Sequence, residues 1–490
     1  MTATTPTAGT ARHGLLARFT SFITEKHPFA LRPAVMALDM AIGGDAFDER
    51  DPAAVERLRE PLRRMLLQTL GDFVSLDAAS AQKLAAGVPE TTPGVSVNDR
   101  LHHAGMEILQ SCDGFLGREA IAASLTPEER REILRGMILT RAVDNRLKAF
   151  FTGGEVRWGS TSFQGKGFRS LGQEAIFAAP IRLRRGPRWR DDAGGWMGDV
   201  ISPMIRDLGA ALCMKHDPDL VRIVLSAQMG KAGPPMNGKD LHVGANDWGI
   251  LPAMAPLGSP SLTIAGMAMA FKLRHQDRVA VSFIGEGATS IGEWHEAINA
   301  AAARHLPAIF CVQNNQTALA TPVHEQSAVR VFADKALGYG IPSTTIDGTD
   351  PDAIAAAFAW AAERARAGLG PALIELVSMR MCGHAHHDDM LYLGKDPQTS
   401  WTYPPLLEGG YANRELYEFW SRRDPIATYA VRLERDGVIG ADDLDRFKRG
   451  GGVGRARGTR RHRRTMARWR RRRHRRAGRR AAAGSRGSAR

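Results

Sequence analysis

The chemistry-bearing residues with the most telling spacing are Gly285-Glu286-Gly287 and, 26 residues further on, Asn314-Asn315. Glu286 offers a hard carboxylate oxygen and Asn315 a neutral amide oxygen. That pair suits an octahedral Mg²⁺, which takes few protein ligands and fills its shell with phosphate oxygens, here those of a diphosphate. The glycines let a ligand come close to the backbone. The competing reading is a plain strand-end turn followed by an Asn-containing loop. A lone Gly-x-Gly favours that reading, and the trailing Asn pair with its flanking elements reverses the balance.

A second cluster is MRMCGHAHHDDMLYLG (379–394), with three His and two Asp between 384 and 389. Arg380 and His384, a guanidinium and an imidazole four residues apart, suit anionic oxygens. The same HAHHDD stretch departs only in its last residue from HxHxDH, which would make a dinuclear metal hydrolase. A solvated loop is the third reading, and His386, His387, Asp388 and Asp389 read as loop structure.

The elements around these residues decide their placement. RVAVSFIG (278–285), AIFCVQ (308–313) and ALIELVSM (372–379) are short apolar runs of buried-strand length, separated by helical stretches at 293–305 and 351–368. Buried strands alternating with helices imply an α/β domain with a parallel sheet. Glu286 and Asn315 then sit just past two strand ends, on the edge where ligands bind in open sheets. Upstream, 13–130 reads as a helical extension, with apolar helical spacing at 56–70. Another helix spans 126–151, where Thr126-Pro127-Glu128-Glu129 is a strong start signal. Residues 1–12 read as disordered, 131–425 as the α/β domain, and 426–448 as a helical connection.

With those residues in view, GEGATSIGEWHEAINAAAARHLPAIFCVQNNQTALATPVHEQ (285–326) resembles the thiamine-diphosphate motif of the alpha subunits of 2-oxo acid dehydrogenases. These are the decarboxylating first component of their complexes. LGQEAIFAA (171–179) and ISPMIRDLGAALCM (201–214) extend the resemblance, which spans about residues 130–425. It implies a thiamine-diphosphate-binding α/β fold with Mg²⁺ held by Glu286, Asn315 and the backbone of Thr317, where the family often has Tyr. It implies cofactor contacts from Arg206, Leu257, Gly285, Glu286, Gly287, Ala288, Asn315, His384 and His242. Ile205 stands where the family commonly has a phosphate-binding Tyr. Pro256-Leu257 falls on the aminopyrimidine pocket. Arg380 and His384 fall on the catalytic loop over the active-site mouth. Ala385, His386 and His387 occupy the stretch where mammalian members carry regulatory Ser. His242 reads equally as a structural His, His295 as a packing residue, and GMAMAF (266–271) as core. The implied activity is oxidative decarboxylation of a 2-oxo acid with acyl transfer to a lipoyl-bearing acyltransferase. The cofactor would lie at an interface with a beta-type subunit or domain in a heterotetramer. No beta-like domain is read in the chain, so the expectation is inactivity without that partner. The Glu of Gly-Glu-Gly leans towards branched-chain substrates.

Composition narrows the class further. Of the 490 residues, 66 are Lys or Arg and 52 Asp or Glu, a formal charge of +14. From Arg449 to Arg490 there are 18 Arg, no Lys and no acid, which leaves the body 48 basic against 52 acidic groups. A mildly acidic body gives no electrostatic case for nucleic acid. The alternative, a non-catalytic nucleic-acid-binding protein, therefore rests wholly on RWRRRRHRR (468–476) in the tail. That tail reads as disordered, and its Gly/Arg/Ala composition is that of an out-of-frame translation of a GC-rich gene. Four scattered Cys and no apolar run of membrane-spanning length lead to the expectation of a cytoplasmic protein without a membrane partner. The other two frames past codon 448 should contain a long open, globular-looking sequence that continues the helix. Translating them checks this, and two frames closed by early stops would exclude it.

Overall fold

The computed structural model describes residues 8–43, 47–70, 97–162, 167–215, 217–233, 236–239, 241–252 and 254–451. The Arg-rich tail from 452 onward, and residues 1–7, lie outside these. Helix α1 (Ala8–Lys26) begins inside the segment 1–12 expected to be disordered, so residues 8–12 are helical.

Five strands form one parallel sheet: β1 (Val200–Ser202), β2 (Ala280–Gly285), β3 (Ala308–Asn314), β4 (Ser343–Asp347) and β5 (Ala372–Val377). Their order is β1-β2-β3-β5-β4. Three of them coincide with the apolar runs of the sequence, while β1 and β4 were not read there. β1 has three residues and β4 (STTID) is polar along most of its length, so neither carries a strong apolar signal. Register puts the strand ends level, with Gly285 opposite Gln313 and Asn314 opposite Val377. Helices cover both faces, which is why β3 is buried along its whole length.

Alternation splits the strand residues between two cores. Val281, Phe283, Ile309, Cys311, Ile374 and Leu376 face one. There they meet α6 (Pro127–Thr152), α7 (Leu208–Met214), α8 (Pro218–Gln228) and the Ala-rich helix Pro351–Arg366. Ala280, Ile284, Ala308, Phe310 and Val312 face α9 (Ser259–Leu273) and α10 (Gly292–Ala303) on the other. Helix α6 starts as its sequence signals. Thr126 Oγ1 accepts from the Glu129 amide (3.2 Å), and Glu129 Oε2 accepts from the Thr126 amide (2.8 Å), a reciprocal capping box.

The extension is a folded unit. Helices α1, α2 (Leu31–Ile42), α3 (Pro52–Arg57), α4 (Arg59–Leu70) and α5 (Val97–Ala123) enclose their own apolar cluster, from Leu15 and Phe19 to Phe115 and Leu116. Its link to the α/β body includes Lys26, whose ammonium donates to Asp334 (3.2 Å) and Ser343 (3.0 Å). The segment read as a connection (426–448) holds the helices Pro425–Arg435 and Asp443–Gly451. It buries Ile426, Tyr429, Leu433, Val438 and Ile439 in the main core, so it is part of the α/β body.

Gly136 on α6 lies so close to Phe177 that a Cβ there would meet the ring at 2.2 Å. Gly136→Ala should destabilise the protein by roughly 1–3 kcal/mol through overpacking. Thermal melts check this, and an unchanged midpoint would show that the ring yields freely.

Candidate functional site

The four residues of greatest chemical interest follow four adjacent strand ends. Arg206 comes after β1, Glu286 after β2, Asn315 after β3 and Arg380 after β5. Glu286 is 2% exposed and Asn315 7%. The Asn315 amide donates to Glu286 Oε2 (3.3 Å), and the Asn315 side-chain amide donates to Gln173 Oε1 (3.1 Å). The Arg380 amide donates to the Asn315 carbonyl (3.1 Å), which fixes the chain beyond β5. Gln173 reaches Asn315 because Gly172, at φ +96°, lets its segment press on the chain after β5. A Cβ there would lie 2.1 Å from the Met379 carbonyl oxygen.

Two side-chain oxygens in this group are buried and accept no hydrogen bond, Asn315 Oδ1 and Gln326 Oε1. Burial raises the Glu286 carboxyl above its usual range, against the lowering effect of backbone and Gln326 hydrogen bonds and of Arg206. Thr317 opposes Pro322 in the hairpin 317–322, and Pro322 has no N–H to offer the Thr317 carbonyl. The Thr317 hydroxyl turns into the hairpin, towards the carbonyls of Leu319 (3.3 Å) and Thr321 (3.2 Å). Of the two motif glycines, only Gly287 is hemmed in: a Cβ would meet Ala318 and Gln326 at 2.6 Å. Gly285 has open space beside it, so there the missing side chain leaves room and relieves no clash.

The cationic side is equally incomplete. Arg206 donates through Nη2 to the His384 carbonyl (2.6 Å) and lies 3.2 Å from His384 Nδ1, while its Nε has no partner. Arg380 is 0% exposed and lies over the Tyr392 ring. It donates to the carbonyls of Cys382 (2.9 Å) and Leu319 (2.8 Å), while its Nη1 has no partner. Burial, with the neighbouring Arg380 charge second, lowers Arg206 to about 10. Burial and then Arg206 and Arg380 lower His384 to about 4, so its imidazole is neutral at neutral pH. Asp207 shapes the turn carrying Arg206 by accepting from the Met204 amide (2.8 Å).

Unpartnered acceptors around a carboxylate, beside unpartnered guanidinium donors, fit a bound cation together with its anion. They do not fit a metal-hydrolase centre. Among the described residues no group of three or more His, Cys, Asp or Glu is arranged to hold a metal. HAHHDD is taken up internally. Asp388 accepts from the His384 amide (2.7 Å) and the Tyr411 hydroxyl (2.9 Å), and Asp389 pairs with Arg169 (2.6 Å) and Lys148 (3.0 Å). Leu257 is exposed on the same edge, in the turn whose Gly258 packs against Ile291 and Glu293. His242 is half-buried in a loop, and Ala288 follows Gly287 in a single 3₁₀ turn. His295 meets the Tyr339 hydroxyl through Nδ1. Sequence reasoning overlooked Gln173, Gln326, Asp207 and Tyr411 as members of this group. Gln173, Asp207 and Gln326 lie inside the segments that carried the resemblance, but no spacing singled them out, and Tyr411 lies outside those segments.

A family model described as dehydrogenase E1 component matches residues 192–406, which include Arg206, Glu286, Asn315, Arg380 and His384. The pyruvate dehydrogenase E1 component subunit alpha of Bacillus subtilis is 31% identical over 326 residues, covering 66% of this chain and 75% of that protein. The chain belongs to the dehydrogenase E1 component family. Other E1 relatives are the 2-oxoisovalerate dehydrogenase subunit alpha of Bacillus subtilis and the 3-methyl-2-oxobutanoate dehydrogenase subunit alpha of Mycobacterium tuberculosis. The first is 29% identical over 66% of this chain and 87% of its own length. The second is 41% identical over 187 residues, 38% of this chain and 46% of its own length. The chain is thus of the 2-oxo acid dehydrogenase alpha-subunit class. The E1 match leaves out the N-terminal helical unit. It also leaves out the buried pairs under the site, in which Arg141 binds Glu174 (2.7 Å) and Asp424 (3.0 Å). No described helix is long and apolar enough to cross a membrane.

Within the E1 loop, His386 is 5% exposed and neither ring nitrogen has a partner. Burial, then Arg169 and Lys148, lowers it to about 3. Its folded value lies below the unfolded one of about 6.5, so the unfolded chain takes up the proton first and stability falls as pH drops from about 6.5 towards 3. His386→Leu should remove roughly 1.4 kcal/mol per pH unit from that acid slope. Urea unfolding at several pH values across the window checks this, and parallel slopes for parent and variant would contradict it.

Proposed function

We propose that this chain is the half of a 2-oxo acid dehydrogenase that holds thiamine diphosphate and Mg²⁺. The observation that carries the reading is the pairing of opposite deficits at one sheet edge. Asn315 Oδ1 and Gln326 Oε1 lack donors beside the Glu286 carboxylate, and Arg206 Nε and Arg380 Nη1 lack acceptors. The Glu286 carboxylate, the Asn315 amide oxygen and the Thr317 carbonyl would hold Mg²⁺, which prefers hard oxygens and retains phosphate ligands. Gly285 leaves the backbone open to the diphosphate, and Ala288, Leu257 and His242 would contact the cofactor. When bound, thiamine diphosphate would supply a carbon nucleophile for the 2-oxo group and a thiazolium ring able to accept the electron pair left behind as CO₂ departs.

The protein's own groups then bind and orient. Arg206 and Arg380 place fixed positive charge against anionic oxygens in a water-poor setting, where it acts most strongly. His384 is neutral. Its Nδ1 faces the Arg206 guanidinium and so acts as acceptor, which leaves the proton on Nε2. That N–H can donate to an oxygen of the substrate or to a sulfur of the incoming lipoyl disulfide at the mouth. The Asp388 bond to the His384 amide keeps the loop in place for this.

A beta-type subunit or domain would complete the site and a lipoyl-bearing acyltransferase would take the acyl group, so the chain alone should be inactive. The buried, unpaired state of Cys112, Cys213, Cys311 and Cys382 supports a cytoplasmic setting. The Glu in Gly-Glu-Gly favours branched-chain 2-oxo acids over pyruvate, and a decarboxylation panel with the beta partner present distinguishes them. Glu286→Ala should weaken Mg²⁺-dependent binding of thiamine diphosphate by more than about tenfold. Calorimetry with and without Mg²⁺ measures it, and undiminished binding by the variant would refute the metal role.

A further inference from the structure

We propose that Gln326 is a positioning residue for the cation site, holding the Glu286 carboxylate in place and offering its amide oxygen to a water carried by the ion. The inference rests on the Mg²⁺ reading above and goes beyond the three oxygen ligands named there. Gln326 ends the short helix Val323–Gln326, just after the hairpin that carries Thr317. Its side-chain amide donates to the Thr321 carbonyl (2.7 Å) and lies at the limit of hydrogen-bond reach, 3.5 Å, from Glu286 Oε1. Both neighbours are pure acceptors, so the NH₂ end must face them and Oε1 must point the other way. That oxygen is shut off from solvent and accepts nothing.

The Glu286 carboxylate is therefore gripped from two sides. The Asn315 backbone amide holds Oε2 and the Gln326 side chain holds Oε1. Gly287 makes this possible, because a Cβ at that position would intrude to 2.6 Å from Gln326 Oε1. The second glycine of Gly-Glu-Gly thus has a local task, which is to admit Gln326. Mg²⁺ keeps several waters when it binds through few protein ligands, and a buried carbonyl-type oxygen is a suitable acceptor for one of them. Groups that orient metal ligands without touching the ion typically govern affinity by 10–100-fold.

The test is an Mn²⁺ titration followed by electron paramagnetic resonance, on the full chain assembled with its beta-type partner and with thiamine diphosphate present. The parent is compared with Gln326→Met, which keeps the length without hydrogen bonding, and with Gln326→Ala. Both variants should bind Mn²⁺ about tenfold more weakly. Their thiamine diphosphate affinity and their melting temperature, both measured without metal, should match the parent. Unchanged Mn²⁺ affinity in both variants, with or without a lowered melting temperature, would overturn the role of Gln326. A parent chain that binds no Mn²⁺ in the presence of thiamine diphosphate would instead overturn the Mg²⁺ reading, so the two failures are distinguishable.

Discussion

Asn315 ties the edge of the sheet together. Its amide nitrogen holds Glu286 from β2, its carbonyl holds the Arg380 amide beyond β5, and its side chain holds Gln173 from outside the sheet. Three stretches far apart in sequence are thereby locked around one buried residue. The lock works because β2, β3 and β5 are adjacent and end level. A one-residue slip of β3 would turn Asn315 to the opposite face and release all three partners at once.

The charged groups show a division of labour. Beneath the site, Arg141, Glu174 and Asp424 satisfy one another, as do Lys148, Arg169 and Asp389. Buried pairs of this kind are costly to break because removing one partner strands the other. They hold α6, the Gly-Gln-Glu segment and the loop after β5 in fixed relation. At the edge itself the pairing is left open. The Arg380 charge helps to lower Arg206, both guanidiniums lower His384, and among the described residues neither has a carboxylate bonded to its guanidinium. A site with unspent positive charge next to unspent oxygen acceptors is arranged for a ligand carrying both signs. The ion pairs around it, Arg141 with Glu174 and Asp424 and Asp389 with Lys148 and Arg169, hold that open arrangement in place.

Much of this was legible in the chain. The runs at 278–285, 308–313 and 372–379 are uniformly apolar because both faces of the sheet are covered, and such runs stand out. The start of α6 was legible because Thr126, Pro127 and Glu129 each meet a separate need of a helix terminus. The strand β4 was not, since Ile346 is its single apolar residue and its buried position is Thr344, and Gln326 was not, since nothing local marks a glutamine that reaches back to Glu286 across 40 residues. The helix after Asp424 read as a connection because amphipathic helices look alike whether they pack on a core or link two.

The sequence by itself determined the parallel α/β class, the position of Glu286 and Asn315 at strand ends and the likeness to E1 alpha subunits. It could do so because strand burial, helix capping and ligand chemistry are all set by residue type and short spacing. The tertiary structure decided which residues meet. It brought Gln173, Arg206, Gln326 and Arg380 to the same edge, left hydrogen-bond positions open on them, and took HAHHDD out of contention by engaging Asp388 with Tyr411 and Asp389 with Arg169 and Lys148. Those outcomes depend on strand order and on close approach at Gly172 and Gly287, and contact across the sheet edge is not a property of any local stretch of chain.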